Sequence, residues 1–151
     1  MTSTAIANPW YVDDDGKADF DNIQAAVDAA SDGDMIFVYP GTYTSTADEV
    51  VNMLGKAVTL RSLYPNNPDV VAATIIDGEG VHRGIVCDSG ETSKTIIEGF
   101  TITVCFDPSR GGGTYCYYSS PTISNCIFDN NIADIIGGGG MCNEGSNPTL
   151  Q

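Results

Sequence analysis

Short apolar segments separated by polar turns run along most of this 151-residue chain. Residues 10–12 are typical of a strand, and residues 35–39 form a continuous apolar run that ends at a Pro-Gly turn, as a buried strand does. Two further strand-like runs follow at 50–53 and 58–61. These patterns predict that the first part of the chain consists mainly of short strands.

One segment near the N-terminus has helical periodicity instead. Its apolar positions recur three and four residues apart, at Phe20, Ile23, Ala26, Val27 and Ala30. This spacing predicts one amphipathic helix of about three turns. Asp19 or Asp21 is expected to cap the start of the helix, and the Ser-Asp-Gly sequence at 31–33 is expected to end it.

From residue 74 onward the chain repeats itself at intervals of about 26 residues. The glycine runs at 111–113 and 137–139 are 26 residues apart, and so are Cys116 and Cys142. Each copy contains three strand-like runs that are too short to fold as independent hairpins. Stacking the copies solves this problem, because each strand then pairs in parallel with its equivalent in the next coil.

Alternation within the strands predicts which side chains enter the core. Ile85 and Cys87, Thr114 and Cys116, and Gly140 and Cys142 are expected to point inward. Cys87, Cys116 and Cys142 would then form one interior column. The glycine runs are expected to form tight corners where the backbones of successive coils approach closely.

Several segments resemble the pectin-lyase-like family of right-handed β-helix proteins. Residues 21–30, 33–38 and 40–43 look like the N-terminal cap of that family, and 55–60, 74–78 and 98–102 are similar to its first coils. The glycine runs and the Pro-Thr-Ile-Ser-Asn-Cys segment at 121–126 resemble the repeating coil of its bacterial surface and secreted members. The resemblance implies a secreted or cell-surface location. It does not imply one activity, because the fold hosts lyases, hydrolases, esterases, adhesins and inert stalks.

The fold prediction is therefore an all-β solenoid, a right-handed single-stranded parallel β-helix of about four coils with an N-terminal capping α-helix. Residues 1–151 are expected to form a single domain, with the cap and first coil at 1–62 and the repeating coils at 63–151. The chain ends at Gln151 without a recognisable C-terminal cap. A fragment with an open last coil is expected, whose backbone groups lack partners.

The charge of the chain narrows the choice of partners. Twenty acidic residues against six basic ones give a net charge of -14, which disfavours nucleic acid and anionic membrane surfaces. A polyanionic polysaccharide is disfavoured unless a divalent cation bridges the two sets of carboxylates. A neutral polysaccharide or a protein is less penalised. The sequence contains neither a signal-peptide pattern nor an apolar stretch long enough to span a membrane.

Candidate chemistry is sparse. The outward positions of the matched strands hold Val86, Tyr115 and Met141, or Glu98, Ser124 and Ile127, and neither set makes the carboxylate pair that glycoside cleavage uses. No catalytic residue and no cofactor is therefore predicted. The acidic run at 13–19 resembles a Ca²⁺ loop, but Ala18 and Gln24 stand where an EF loop needs Gly and Glu, and a polar turn is favoured.

The five cysteines form no CxxC pair and no closed disulfide set, and His82 is expected to be a solvated loop residue. Apolar residues interrupt the loops that lead into the glycine runs. They are Val104, Cys105, Phe106, Ile132, Ile135 and Ile136. The 26-residue register places Phe106 over Ile132 at one corner. Either the loops fold back and bury these groups, or the corner is a contact surface for self-association.

Three functions follow as hypotheses. The first is a structural or binding scaffold module without an active site in this segment. The second is the N-terminal part of a polysaccharide lyase or glycoside hydrolase, and the third is a truncated or engineered scaffold that self-associates through the corner or the open last coil. In that third case Cys105 is the thiol expected to form an intermolecular bond.

Overall fold

The computed structural model describes residues 7–135 and 137–151, and it is a parallel β-helix. The described residues contain two short helices, α1 at Ile23–Ala29 and α2 at Pro68–Ala73. The strands are β1 Pro9–Val12, β2 Met35–Val38, β3 Gly41–Tyr43, β4 Glu49–Asn52, β5 Thr59–Ser62, β6 Thr74–Asp77, β7 Arg83–Cys87, β8 Ile96–Glu98, β9 Thr101–Thr103, β10 Phe106–Asp107, β11 Thr114–Tyr117, β12 Thr122–Ser124, β13 Ile127–Asp129, β14 Ile132–Ala133, β15 Met141–Glu144 and β16 Thr149–Leu150.

The strands stack into three long sheets and one short one. The orders are β1-β2-β5-β8-β12-β16, β3-β6-β9-β13, β4-β7-β11-β15 and the pair β10-β14. Four complete coils each supply one strand to each long sheet, and β1 and β16 extend the six-stranded sheet at its two ends. The six-stranded sheet corresponds to about five turns, one more than the sequence predicts. The difference arises because β1 pairs in parallel with β2, with Pro9 opposite Met35, and so begins the stack ahead of the recognisable repeat.

Columns of stacked side chains fill the interior. One column contains Ile36, Leu60, Ile97 and Ile123, which are register partners in successive strands and are all buried. A second column in the β3-β6-β9-β13 sheet brings together Tyr43, Ile76, Ile102 and Phe128. Burying a side chain such as isoleucine or leucine contributes roughly 1.5–3 kcal/mol, so these columns account for much of the stability of the solenoid.

Helix α1 covers the N-terminal end of the coils, as predicted, but it is shorter and is capped differently. It spans seven residues, and the Asn22 side chain accepts a hydrogen bond from the Ala25 N–H at 2.8 Å. The prediction of Asp19 or Asp21 as cap is wrong. Asp19 is used elsewhere, because its carboxylate accepts the Tyr11 N–H at 2.9 Å. At the other end, the Lys56 ammonium donates to three carbonyls of the last turn and so replaces their missing partners.

Helix α2 was not predicted. It has only six residues, begins with a proline and is capped by Asn67, whose side chain accepts the Asp69 N–H at 3.0 Å. A single buried residue, Val71, anchors it, and that is too few to produce helical periodicity. The Thr101 hydroxyl donates to the Val71 carbonyl at 2.9 Å and ties the helix to β9. Within the described part of the chain, both helices are too short to cross a bilayer.

The predicted cysteine column is correct for two of its three members. Cys116 is the register partner of Cys87, and both are fully buried. Cys142 is not in this column, because β15 pairs with Thr114 opposite Met141 and Tyr115 opposite Cys142. The loop before β15 contains one residue more than the 26-residue period, and a shift of one residue exchanges the two faces of a strand. Met141, not Gly140 or Cys142, therefore takes the inward position.

The glycine runs form close corners, which confirms the prediction. A Cβ atom at Gly112 would collide with the Ile132 carbonyl oxygen, and one at Gly139 would collide with the Asn131 carbonyl oxygen. Only glycine lets the backbones of adjacent coils approach so closely.

Candidate functional site

The loop corner identified from the sequence is formed as its register predicts. Phe106 pairs with Ile132, and Asp107 pairs with Ala133, in the short β10-β14 sheet. Val104, Ile132 and Ile135 are exposed to 40%, 56% and 75%. We name Val104, Phe106, Ile132 and Ile135 the apolar corner. Ile136, also predicted to belong here, lies outside the described residues.

Cys105 does not belong to this exposed surface. Its side chain is 1% exposed and donates a hydrogen bond to the Thr103 carbonyl at 3.2 Å. Gly78 and Gly84 leave the space that the sulfur occupies, since a Cβ on either residue would crowd it. Burial raises the pKa of the Cys105 thiol to about 12, so the thiolate needed for disulfide exchange is scarce. In the folded chain, Cys105 is therefore poorly placed for the predicted intermolecular bond.

The structure reveals a second surface, which the sequence did not indicate, on the outer face of the six-stranded sheet. Tyr11, Phe37, Arg61 and Glu98 occupy consecutive outward positions of β1, β2, β5 and β8. The Tyr11 and Phe37 rings are stacked at 5.4 Å with an interplanar angle of 18°. The Arg61 guanidinium lies 5.7 Å from the Phe37 ring centre and pairs with Glu98 at 3.2 Å. Aromatic and charged groups thus form one continuous ladder.

A pocket of about 510 Å³ opens beside the Tyr11 end of this ladder. We name it the Tyr11 pocket; its lining residues are Tyr11, Asp13, Lys17, Ala18, Asp19 and Tyr39. The Tyr11 and Tyr39 rings lie 6.4 Å apart at 45° to each other. Tyr11 is 37% exposed, which leaves ring surface available to a ligand.

Main-chain hydrogen bonds fix the walls of the Tyr11 pocket. The Tyr11 N–H donates to the Asp19 carboxylate, and the Phe20 N–H donates to the Tyr11 carbonyl at 3.2 Å. The Tyr39 N–H donates to the Val12 carbonyl at 2.9 Å, which holds the two tyrosines on adjacent coils. The pocket therefore consists of Tyr11, Tyr39 and the turn at 13–19, which hydrogen bonds tie to β1.

The carboxylates at 13–19 accept hydrogen bonds from main-chain N–H groups, either of the turn itself or of the neighbouring strands. Asp15 accepts the Lys17 N–H at 3.1 Å and forms an ion pair with the Lys17 ammonium, while Asp14 accepts the Thr42 N–H at 2.9 Å. These contacts lower the pKa of the Asp15 carboxyl, chiefly through the hydrogen bond from Lys17. In the described ranges there is no cluster of three His, Cys, Asp or Glu side chains with the geometry of a metal site.

A cluster of ion pairs lies on the outer face of the β4-β7-β11-β15 sheet. Arg83 pairs with Asp107 at 2.5 Å and lies over the Tyr115 ring at 4.7 Å. Arg110 pairs with Glu144, which also accepts the Tyr115 hydroxyl at 3.2 Å. The charges are matched within the cluster, so it stabilises successive coils and has no excess charge to attract an ion. Val86 and Tyr115 point outward as predicted, and Cys142 takes the place predicted for Met141.

One sequence signal could have revealed the Tyr11 pocket. Tyr11 and Phe37 are 26 residues apart, which is the period of the later coils. Extending that period back to the N-terminus would have stacked the two aromatic residues.

Comparison with known proteins adds no relative to this picture. No protein-family model, characterised protein or solved structure matches the chain. The parallel β-helix is thus established by the structure alone, and membership of the pectin-lyase-like family stays a prediction.

Proposed function

We propose that this domain is a structural and binding scaffold of a secreted or cell-surface protein, and that the Tyr11 pocket binds one end of a neutral glycan. The observation that carries the proposal is the pair of tyrosine rings, Tyr11 and Tyr39, set at an angle above a pocket with carboxylate walls. Concave sites with aromatic surface and a few fixed polar groups are typical of small-ligand binding.

The ladder shows which aromatic surface is free for a sugar. Phe37 lies between the Tyr11 ring and the Arg61 guanidinium, so both of its faces are occupied. The remaining ring surface belongs to Tyr11 and Tyr39, next to the pocket. A tyrosine ring packs against the C–H face of a pyranose, and its hydroxyl remains available for hydrogen bonding.

Charge decides between neutral and acidic sugars. Asp13 and Asp19 line the pocket, and the chain as a whole carries a net charge of -14. Ionised carboxylates accept hydrogen bonds from sugar hydroxyls but repel uronates and sulfates. The cation in the pocket, Lys17, is already paired with Asp15. A neutral glycan is therefore the ligand class that the pocket favours.

The carboxyl groups with a shifted pKa do not have the character of a general acid. A general acid for glycoside cleavage needs a carboxyl group whose pKa is raised toward neutrality. The carboxyl groups with shifted pKa values in the described residues, Asp15, Asp34 and Glu144, are all shifted downward by hydrogen bonds. These groups remain ionised at neutral pH and act as acceptors.

The test is a binding and depolymerisation screen of neutral and acidic oligosaccharides with the purified chain. We expect binding of at least one neutral oligosaccharide, weaker or no binding of acidic ones, and no cleavage. Tyr11→Ala should weaken binding by about tenfold or more, equivalent to about 1.4 kcal/mol. Tyr118→Ala is the matched control, because Tyr118 is a 68% exposed tyrosine outside the pocket. Equal binding by Tyr11→Ala and wild type, or no binding across the panel, would overturn the proposal.

A second candidate function is self-association through the apolar corner. It is favoured by the exposure of Ile132 and Ile135, two large apolar side chains only three positions apart. We expect a concentration-dependent dimer in light scattering that Ile135→Asp abolishes. Tyr64→Asp is the control, since Tyr64 is 62% exposed at another site. A monomer at every concentration would exclude this candidate. Reductant should have no effect, because Cys105 is buried.

A further inference from the structure

Two cysteines lie next to each other in the core of the solenoid. Cys87 ends β7, and its register partner in β11 is Cys116. Neighbouring parallel strands are about 4.8 Å apart, which falls within the range of roughly 4.4–6.8 Å between the Cα atoms of disulfide-bonded cysteines. The backbone therefore holds the two residues at a separation that a disulfide can bridge.

The side chains also point toward the same space. Both are inward-facing and completely buried. The neighbouring Cys116 thiol together with burial raises the pKa of the Cys87 thiol well above its ordinary value. In the folded reduced state, the two thiols are thus adjacent in the core but poorly reactive.

The other cysteines have no such neighbour. Cys142 is paired with Tyr115, and Cys105 donates to the Thr103 carbonyl. Cys126 donates to the Ser124 carbonyl at 3.3 Å. Among the five cysteines, the strand register thus pairs Cys87 with Cys116.

We propose that Cys87 and Cys116 are a covalent cross-linking site, at which an oxidising thiol–disulfide reagent forms a disulfide that joins two successive coils. The two thiols lose two protons and two electrons, and one S–S bond forms. The oxidant, a disulfide such as oxidised glutathione, accepts both and leaves as two thiols. One cysteine first attacks the oxidant and forms a mixed disulfide with it. The thiolate of the other cysteine then attacks the protein sulfur of this mixed disulfide and releases the reagent thiol.

Burial determines when the reaction takes place. A reagent cannot reach either sulfur in the folded chain, and the raised pKa of Cys87 leaves little thiolate. Oxidation therefore occurs while the chain folds, before the coils close over the pair. Reduced protein that is already folded should resist the same oxidant, and this difference in timing is specific to a buried pair.

The experiment refolds the urea-denatured chain in reduced and oxidised glutathione, followed by alkylation and peptide mapping. Cleavage after Arg83, Lys94 and Arg110 separates the peptide of Cys87 from that of Cys116, and a second cleavage after aromatic residues isolates Cys116. We expect a Cys87–Cys116 link, three of the five thiols left free, and a lower urea midpoint after reduction.

Variants make the result specific. Cys87→Ala should leave all of its remaining thiols free after oxidative refolding, whereas Cys126→Ala should still lose two. If Cys87→Ala fails to fold, Cys116→Ala and the peptide map of the wild type carry the test. Five free thiols in the oxidised wild type, or a link between any other pair, would overturn the proposal. So would oxidation of the folded reduced chain as fast as the unfolded one.

Discussion

The Tyr11 pocket and the apolar corner are both exposed on the outside of the solenoid, but they are built in opposite ways. In the pocket, the Tyr11 N–H donates to Asp19, and Tyr39, which follows β2, donates its N–H to Val12 of the neighbouring strand β1. At the corner, Val104 adopts a left-handed backbone conformation with φ 51°, which is unusual for a β-branched residue. One surface is fixed by satisfied polar contacts, and the other combines strain with exposed apolar area.

The difference teaches where binding specificity can come from in a solenoid. The inner columns are nearly uniform from coil to coil, so a specific site needs groups that break the repeat and are still held rigidly. The Tyr11 pocket meets both conditions through the turn at 13–19. The corner breaks the repeat as well, but apolar side chains on short loops give area without directional contacts.

The largest expected effect is the loss of stability on removing a buried carboxylate that ties β1 to the turn before β2. Asp34 is buried and accepts the Asn8 N–H at 2.8 Å, the Ser31 N–H at 2.9 Å and the Trp10 indole N–H at 3.1 Å. Asp34→Ala leaves these donors without a partner and should lower the free energy of unfolding by about 3 kcal/mol. Urea denaturation measures this loss. The exposed Asp134→Ala is the control, and an equal effect of the two changes would contradict the assignment.

A somewhat smaller loss of stability is expected at the glycine run at 137–139. A Cβ atom at Gly139 would collide with the Asn131 carbonyl oxygen, whereas one at Gly140 would meet the Phe128 Cβ at an ordinary 3.5 Å. Gly139→Ala should therefore destabilise the chain by about 2 kcal/mol, and its neighbour Gly140→Ala should change the free energy of unfolding little. Thermal unfolding of the two variants side by side tests this. Similar melting temperatures would show that the glycine run at 137–139 tolerates a side chain.

Acid should remove part of the support that Asp34 gives. Hydrogen bonds from the Ser31 and Asn8 main-chain N–H groups hold the pKa of Asp34 below its ordinary value. Because the folded-state pKa is depressed, the contribution is present above about pH 4 and is lost as the pH falls through the folded-state pKa. The difference in urea midpoint between wild type and Asp34→Asn should shrink on acidification. A difference that stays constant down to about pH 2 would contradict the shift.

The smallest expected effect is a gain in stability. Asn130 occupies the position equivalent to Val104 in the next coil, also with φ 51°, and asparagine tolerates the left-handed region better than valine. Val104→Asn should raise the free energy of unfolding by about 1 kcal/mol. Ile132→Asn, at an exposed strand position, is the control. Destabilisation by Val104→Asn would show that the valine side chain contributes more than its backbone costs.

The pairings that follow from the internal repeat could be predicted from the sequence. Stacking of Cys87 with Cys116 and of Phe106 with Ile132 followed from the repeat, because equivalent positions of a solenoid must pair. Cys142 was misplaced because one additional loop residue reverses a whole strand, and loop insertions leave no hydrophobic signal of their own.

The Tyr11 pocket and the caps escaped prediction for a different reason. The pocket depends on which carboxylate meets which N–H, and residues 13–21 contain several interchangeable aspartates. Asp19 accepts the Tyr11 N–H, and Asn22 caps the helix instead. Such choices are set by tertiary geometry and have no periodic pattern in the sequence.

The most direct test of the central claim is a titration of the isotope-labelled chain with a neutral oligosaccharide, followed by amide chemical shifts. Binding at the Tyr11 pocket predicts shifts concentrated at Tyr11, Asp19 and Tyr39, with Ile132 and Ile135 unchanged. Shifts confined to the apolar corner, or spread evenly over the coils, would contradict the claim that the pocket is the binding site.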